Sequence, residues 1–270
     1  MARHLTVAIG GLGAIGGRLA RALDAGVEGL RLVAVSARDR RKAQETVAAF
    51  RHPPAIVPLP DLAEHADIVV EAAPASVFEE IARPAIARGR ILVASSAGAL
   101  LPRMHLVEEA RRSGARIVVP TGALLGLDAV RAAAEDAVES VTIETRKPPE
   151  GLEGAPYLVE NRVTLLGIRE PVRVFEGNAF DAARGFPANV NVAAALALAG
   201  IGPERTRVQI WADPSVSRNM HTIRVEAAAA RLTMTIENVP SEENPRTGRI
   251  TPLSILACLR GMTSTLKVGS

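Results

Sequence analysis

The sequence predicts an α/β chain of two domains: an N-terminal doubly wound parallel sheet, then an α+β domain containing a mostly antiparallel sheet. Three observations carry this expectation. An apolar run at residues 5–9 feeds into a glycine-rich turn, Gly10-Gly11-Leu12-Gly13-Ala14-Ile15-Gly16, and then into Ile15, Leu19, Ala22 and Leu23 at helical spacing. Near-continuous apolar strands then alternate with amphipathic helices to about residue 120, as in a parallel sheet covered on both faces. After about residue 125 the rhythm changes to segments that suit antiparallel strands.

Taken in order, strands are expected at residues 30–35, 67–71, 90–94 and 116–119, with helices near 40–50, 76–88 and 103–113 between them. The second half predicts strands at 138–145, 206–211, 219–226 and 232–237, interrupted by an alanine-rich helix at 190–199. A final helix at 251–260 follows. The expected division is therefore 1–124 for the first domain and 125–250 for the second, with about 251–270 returning to the first.

The glycine turn has the G-x-G-x-x-G spacing at Gly11, Gly13 and Gly16, between a strand and a helix. In that context Gly11 permits the tight turn, Gly13 lets a pyrophosphate approach the backbone, and Gly16 lets helix and strand pack closely. The first domain is accordingly expected to be of Rossmann type and to bind NADP or NAD through Gly11, Leu12, Gly13, Ala14 and Ile15. Ala73, just beyond the strand at 67–71, is expected beside the same cofactor, since ligands of such sheets sit at the carboxyl ends of the strands. The strand at 30–35 ends in Ser36-Ala37-Arg38-Asp39-Arg40-Arg41-Lys42, with no carboxylate at the strand end itself. A hydroxyl at Ser36 and a guanidinium at Arg38 suit a 2′-phosphate. The alternative is that residues 38–42 form only a solvated start to the next helix.

Composition narrows the function further. The 270 residues are 48% hydrophobic and 23% charged, enough to bury a substantial core. Formal net charge is only +3 and the basic residues are dispersed, so despite a pI of 9.6 nucleic acid is not an expected partner. No window approaches a membrane span, and residues 1–4 run straight into the first strand without a signal-peptide pattern, so the expected compartment is the cytoplasm and no membrane partner is expected. A single cysteine excludes an intrachain disulfide, and no paired His/Cys spacing supports a metal. The expected assembly is a homodimer acting on a small molecule.

Of the five histidines, His221 stands apart, in Ser217-Arg218-Asn219-Met220-His221-Thr222 at the start of a strand. Imidazole donates and accepts protons near neutral pH, with an unperturbed pKa of about 6.5. Yet His221 shares strand parity with Ile223 and Val225, so a satisfied core histidine is an equal reading. Ser96, Thr121, Gly122 and Asn219, with Arg218, offer hydrogen-bond donors for a bound substrate. Asn189, at the start of the helix at 190–199, reads as an N-cap or as an amide that orients cofactor or substrate.

Five ordered motifs make a resemblance specific: the glycine turn; Pro120-Thr121-Gly122-Ala123; Gly185-Phe186-Pro187-Ala188-Asn189-Val190-Asn191; Asp213-Pro214 with Asn219-Met220-His221; and Asn238-Val239-Pro240-Ser241 with Asn244-Pro245-Arg246-Thr247. Over nearly its whole length the chain resembles the L-aspartate dehydrogenase family. The resemblance implies NAD(P)-dependent oxidation of L-aspartate to iminosuccinate, hydrolysis to oxaloacetate and ammonia, and the reverse reductive amination. It also implies that Ala123 and Asn189 contact the cofactor and that His221 is the active-site residue, and it leaves open whether iminosuccinate supplies NAD biosynthesis. The rival readings are another reductase of homoserine dehydrogenase-like architecture and a non-catalytic nicotinamide-nucleotide sensor.

Overall fold

The computed structural model describes residues 4–187, 190–244 and 247–269. The chain divides into two compact units, Met1–Pro120 with Thr251–Ser270, and Thr121–Ile250.

The first unit is built on six parallel strands: β1 (Leu5–Gly10), β2 (Leu30–Ser36), β3 (Ala55–Ile56), β4 (Ile68–Glu71), β5 (Ile91–Ala94) and β6 (Arg116–Val118). Their order is β3-β2-β1-β4-β5-β6, so the sheet reverses direction of growth at β1 and is doubly wound. The connecting helices are α1 (Ala14–Ala25), α2 (Arg40–Ala48), α3 (Leu62–His65), α4 (Phe78–Ala87), α5 (Ala97–Leu100) and α6 (His105–Ser113). Strands β1, β4 and β5 are buried almost end to end because helices cover both faces, which is why they read as continuous apolar runs. Helix α6 ends at Gly114, whose left-handed backbone (φ 76°) closes the helix before β6.

The second unit opens with α7 (Leu127–Ala133) and continues through β7 (Val138–Lys147), α8 (Pro156–Glu160), β8 (Val172–Asn178), α9 (Ala179–Gly185), α10 (Asn191–Ala199), β9 (Thr206–Ala212), β10 (Asn219–Ala227) and β11 (Arg231–Asn238). Its five-stranded sheet runs β11-β10-β7-β9-β8. Every neighbouring pair is antiparallel except β7 with β9, so the sheet is mixed. Strand β8 carries no alternating pattern in the sequence, because its register slips between Arg173 and Phe175 and breaks the two-residue period. Its Phe175 instead packs edge-on against Tyr157 and Phe186, with ring centroids 5.2 and 5.5 Å away.

Helix α11 (Ile250–Gly261) packs through Ile255 and Leu259, both fully buried, into the core formed by β1, β2 and α1 around Val7, Ile9, Leu19 and Leu23. At about 1.5–3 kcal/mol for each fully buried aliphatic side chain, those two residues anchor the helix firmly. Among the described residues, no helix is long and apolar enough to cross a membrane.

Candidate active site

In the first unit, the glycine turn lies where β1 meets α1, at the carboxyl end of the strand where the sheet order reverses. Gly11 has φ 102°, and a Cβ there would stand 2.5 Å from the Ala72 carbonyl oxygen. A Cβ on Gly16 would overlap the Gly11 carbonyl oxygen. Both positions therefore require glycine. Beside Gly13 a Cβ would meet nothing within 4 Å, so the space is open where that residue starts α1 without a side-chain cap. Free helix N–H groups facing open space form a cradle for an anionic group, and the site fits a pyrophosphate. Leu12, Ala14 and Ile15 share this turn and the first turn of α1. Ala73 closes its other side, with its Cα 3.0 Å from the Cβ position of Gly11.

At the end of β2, the Ser36 carbonyl accepts from the Gly11 N–H at 2.8 Å, which ties the strand to the turn; the Ser36 side chain is buried. Arg38 is exposed two residues on. The nearby carboxylate, Asp39, is engaged: it caps α2 by accepting from the Lys42 N–H at 3.0 Å.

Ser96, expected to hold substrate, is already committed within the first unit. Its N–H and its hydroxyl both donate to the Glu71 carboxylate, each at 2.9 Å. Glu71 is fully buried at the end of β4, and an ionised carboxylate in such surroundings requires strong donors. Burial raises its pKa to about 7 against the hydrogen bonds from Ser96. The sequence signal for Glu71 is its place at the end of an apolar strand, where a lone carboxylate is unexpected.

In the second unit, the register of three strands assembles a polar group on one sheet face. Thr145 on β7 lies opposite His221 on β10, and the Thr145 hydroxyl is 3.0 Å from His221 Nδ1. Asn219 pairs with Asn238 on β11, and one further step in the β7–β10 register sets Lys147 level with Asn219. Lys147, Asn219 and Asn238 line a cavity of about 250 Å³, together with Arg218, Glu150 and Gly248. Thr121 and Gly122 form a turn in which the Leu124 N–H donates to the Thr121 carbonyl at 3.0 Å and Gly122 has φ 65°. The next residue, Ala123, is held by Asn238, whose Nδ2 donates to its carbonyl at 3.1 Å. Asn189 lies outside the described residues.

The electrostatics of this group correct one expectation. His221 is 3% exposed, and burial, aided by the positive charge of Lys147, pushes its pKa down to about 3. The imidazole is therefore neutral throughout the physiological range, and the two protonation states are not both accessible near neutrality. Lys147 is 6% exposed, and burial lowers its pKa to about 8.

The sequence marks Asn238 only as part of a motif, without a role, and does not mark Lys147 or Thr145. The available signal was parity: Thr145 and Lys147 continue the inward set Val141 and Ile143, and an inward lysine at a strand end is rare.

A pyrophosphate cradle on a doubly wound sheet, with a second unit that buries an imidazole, an ammonium and an amide beside a cavity, defines an NAD(P)-dependent dehydrogenase. Comparison with known proteins agrees. Residues 11–120 match the family model described as homoserine dehydrogenase, NAD binding domain, and residues 128–262 match aspartate dehydrogenase, C-terminal. An L-aspartate dehydrogenase of Bradyrhizobium diazoefficiens is 55% identical, covering 99% of this chain and 95% of that one. Another, from Methanocella arvoryzae, is 42% identical over 98% and 99%. The crystal structure of aspartate dehydrogenase from Thermotoga maritima superposes with a TM-score of 0.75 at 28% identity, covering 99% of this chain and all of that one. The chain belongs to the L-aspartate dehydrogenase family.

Proposed function

We propose that this protein catalyses the reversible oxidative deamination of L-aspartate: oxidation of the amine to iminosuccinate, then addition of water and release of ammonia to give oxaloacetate. The observation that carries the reading is the buried pair of His221 and Thr145 beside the Lys147–Asn219–Asn238 row. The nicotinamide cofactor, when bound, supplies the hydride acceptor or donor. Gly11, Leu12, Gly13, Ala14, Ile15 and Ala73 hold it, and Ala123 and Asn189 are the further residues the family resemblance assigns to it. Arg38, with Ser36, favours a 2′-phosphate, so NADPH is used at least as well as NADH.

His221 handles the proton steps. If its Nδ1–H donates to the Thr145 hydroxyl, the lone pair falls on Nε2, which takes a proton from the water that adds to the imine. Burial keeps this base-competent form fully populated, while the low pKa makes it a weak base. Thr121, Gly122 and Asn219 are the donors proposed for the substrate carboxylates. A site built to pair a second carboxylate rejects analogues that lack one, so alanine reacts poorly. In the oxidative direction, iminosuccinate that leaves before water adds supplies NAD biosynthesis. The reading includes a cytoplasmic homodimer, which light scattering tests.

The deciding experiment follows oxaloacetate and ammonia with NADPH or NADH spectrophotometrically, in wild type and His221→Asn. The substitution is expected to lower kcat by about a hundred- to ten-thousand-fold, with NADPH affinity and melting temperature unchanged. Activity within a few-fold of wild type, or a loss that merely tracks unfolding, makes His221 a core histidine. Equal turnover of alanine and aspartate refutes the substrate assignment.

A further inference from the structure

The last rung of the parallel sheet sets Gly10 on β1, Glu71 on β4 and Ala94 on β5 side by side, and all three strands end there. Beyond that rung the backbone has no ladder to join, so each N–H needs another partner. Glu71 supplies several. Its carboxylate accepts from the Ser96 N–H and the Ser96 hydroxyl, each at 2.9 Å, and the N–H groups of Ser95 and Ala73 also favour its charged form. Its backbone carbonyl accepts from the Ser95 hydroxyl at 2.7 Å. One residue thus ties the segment leaving β4 to the segment leaving β5.

The ties run on to either side. The Ala72 N–H donates to the Gly10 carbonyl at 2.9 Å, and Ala72 and Ala73 close against Gly11 so tightly that a Cβ there would clash. Past β5, the Ser96 carbonyl accepts from the Ala99 N–H at 2.9 Å and so starts α5. Burial separates the roles: Glu71 and Ser96 are buried, whereas Ala72, Ala73 and Ser95 are partly exposed. Glu71 therefore meets a ligand only through its neighbours.

The strand order says which part of the cofactor those neighbours face. A dinucleotide straddles the point where the order reverses, which here is β1. By the reading above, its pyrophosphate sits at the glycine turn and its 2′-phosphate on the β2 side, by Ser36 and Arg38. The nicotinamide is left for the β4–β5 side.

We infer that Glu71 is a positioning residue for the nicotinamide ring: through Ala73 and Ser96 it holds the ends of β4 and β5 together as one seat. The inference rests on the placement of the pyrophosphate at the glycine turn and adds a residue that meets no ligand itself. Loss of the carboxylate frees the two segments from their common anchor. The cradle from Gly11 to Gly16 keeps its own backbone geometry, so the pyrophosphate is still held.

The test compares the whole cofactor with one cut short of its ring, at pH 8, where Glu71 is ionised. NADPH and 2′-phospho-ADP-ribose are titrated calorimetrically into wild type, Glu71→Leu and Glu71→Gln, with NADH and ADP-ribose in parallel so that the result is independent of the 2′-phosphate. Leucine fills the volume and accepts nothing. It is expected to weaken NADPH about ten-fold, the value of a hydrogen bond to a charged group, and to leave the fragment within about two-fold. The emission of bound NADPH, which reports the surroundings of the ring, is expected to move toward that of the free cofactor. Glutamine is expected to restore NADPH affinity to within about three-fold, because its amide oxygen accepts from the Ser96 N–H and its amide N–H donates to the Ser96 hydroxyl. Ser96→Ala removes one bond and replaces the leucine variant should that fail to fold; a loss of about two- to ten-fold on NADPH alone is expected. NADPH affinity that is unchanged, or that falls no further than affinity for the fragment, overturns the inference. Gly16→Ala that still binds the fragment as wild type does overturns the placement at the glycine turn instead.

Discussion

Replacement of Glu71 by glutamine isolates the cost of a buried carboxyl in the nucleotide-binding unit. The side chain is fully buried, and burial raises its pKa from 4.5 to about 7. Because the folded state holds the proton more tightly than the unfolded chain does, the stabilisation is fully present below pH 4.5 and is lost as pH rises through about 7. At about 1.4 kcal/mol for each factor of ten, the whole effect is roughly 3 kcal/mol, most of which falls between pH 5 and pH 8. Glutamine cannot ionise, so Glu71→Gln removes this slope. Its amide also places N–H donors against Ser96, which shifts stability by an amount independent of pH. The informative quantity is therefore the difference between the urea unfolding free energies of variant and wild type, followed from pH 5 to pH 8. It should move in favour of the variant by roughly 2–3 kcal/mol, and other titrating groups cancel. A difference that stays flat across this range would refute the argument that Glu71 is protonated in the fold near neutrality.

Gly16→Ala drives a Cβ into the Gly11 carbonyl, a backbone atom that cannot swing aside; it should abolish detectable NADPH binding by fluorescence and cost at least about 1–3 kcal/mol of stability. Arg38→Ala should reduce kcat/KM with NADPH by about ten- to a hundred-fold and leave NADH unchanged; a strong NADH preference in wild type that the substitution does not alter counts against the 2′-phosphate assignment. Leu259→Ala empties a fully buried position in α11 and should cost about 2–5 kcal/mol in denaturant titration.

The first unit was legible because its determinants are local. The G-x-G-x-x-G span from Gly11 to Gly16 is six residues long, and its cradle depends on backbone freedom that those residues alone confer. The strands β1, β4 and β5 announce themselves because burial on both faces removes any need for polar positions. In the second unit, β7, β9, β10 and β11 show alternation, whereas β8 does not, since its irregular register erases the period.

The pair of Thr145 and His221 belongs to the other category. Thr145 and His221 are 76 residues apart, and only the β7–β10 register makes them partners. Strand β7 also runs on to Lys147, beyond the expected end at residue 145, and that extension supplies the buried ammonium. Ser96 shows the same dependence in reverse: its hydroxyl looked available until the fold set the Glu71 carboxylate beside it. Residue types and their local spacing establish which residues can carry charge or protons and which turn can cradle a phosphate. The tertiary structure decided the state in which they do so. Desolvation and the field of a neighbouring charge act through space, and no spacing along the chain reveals that His221 is held neutral beside Lys147.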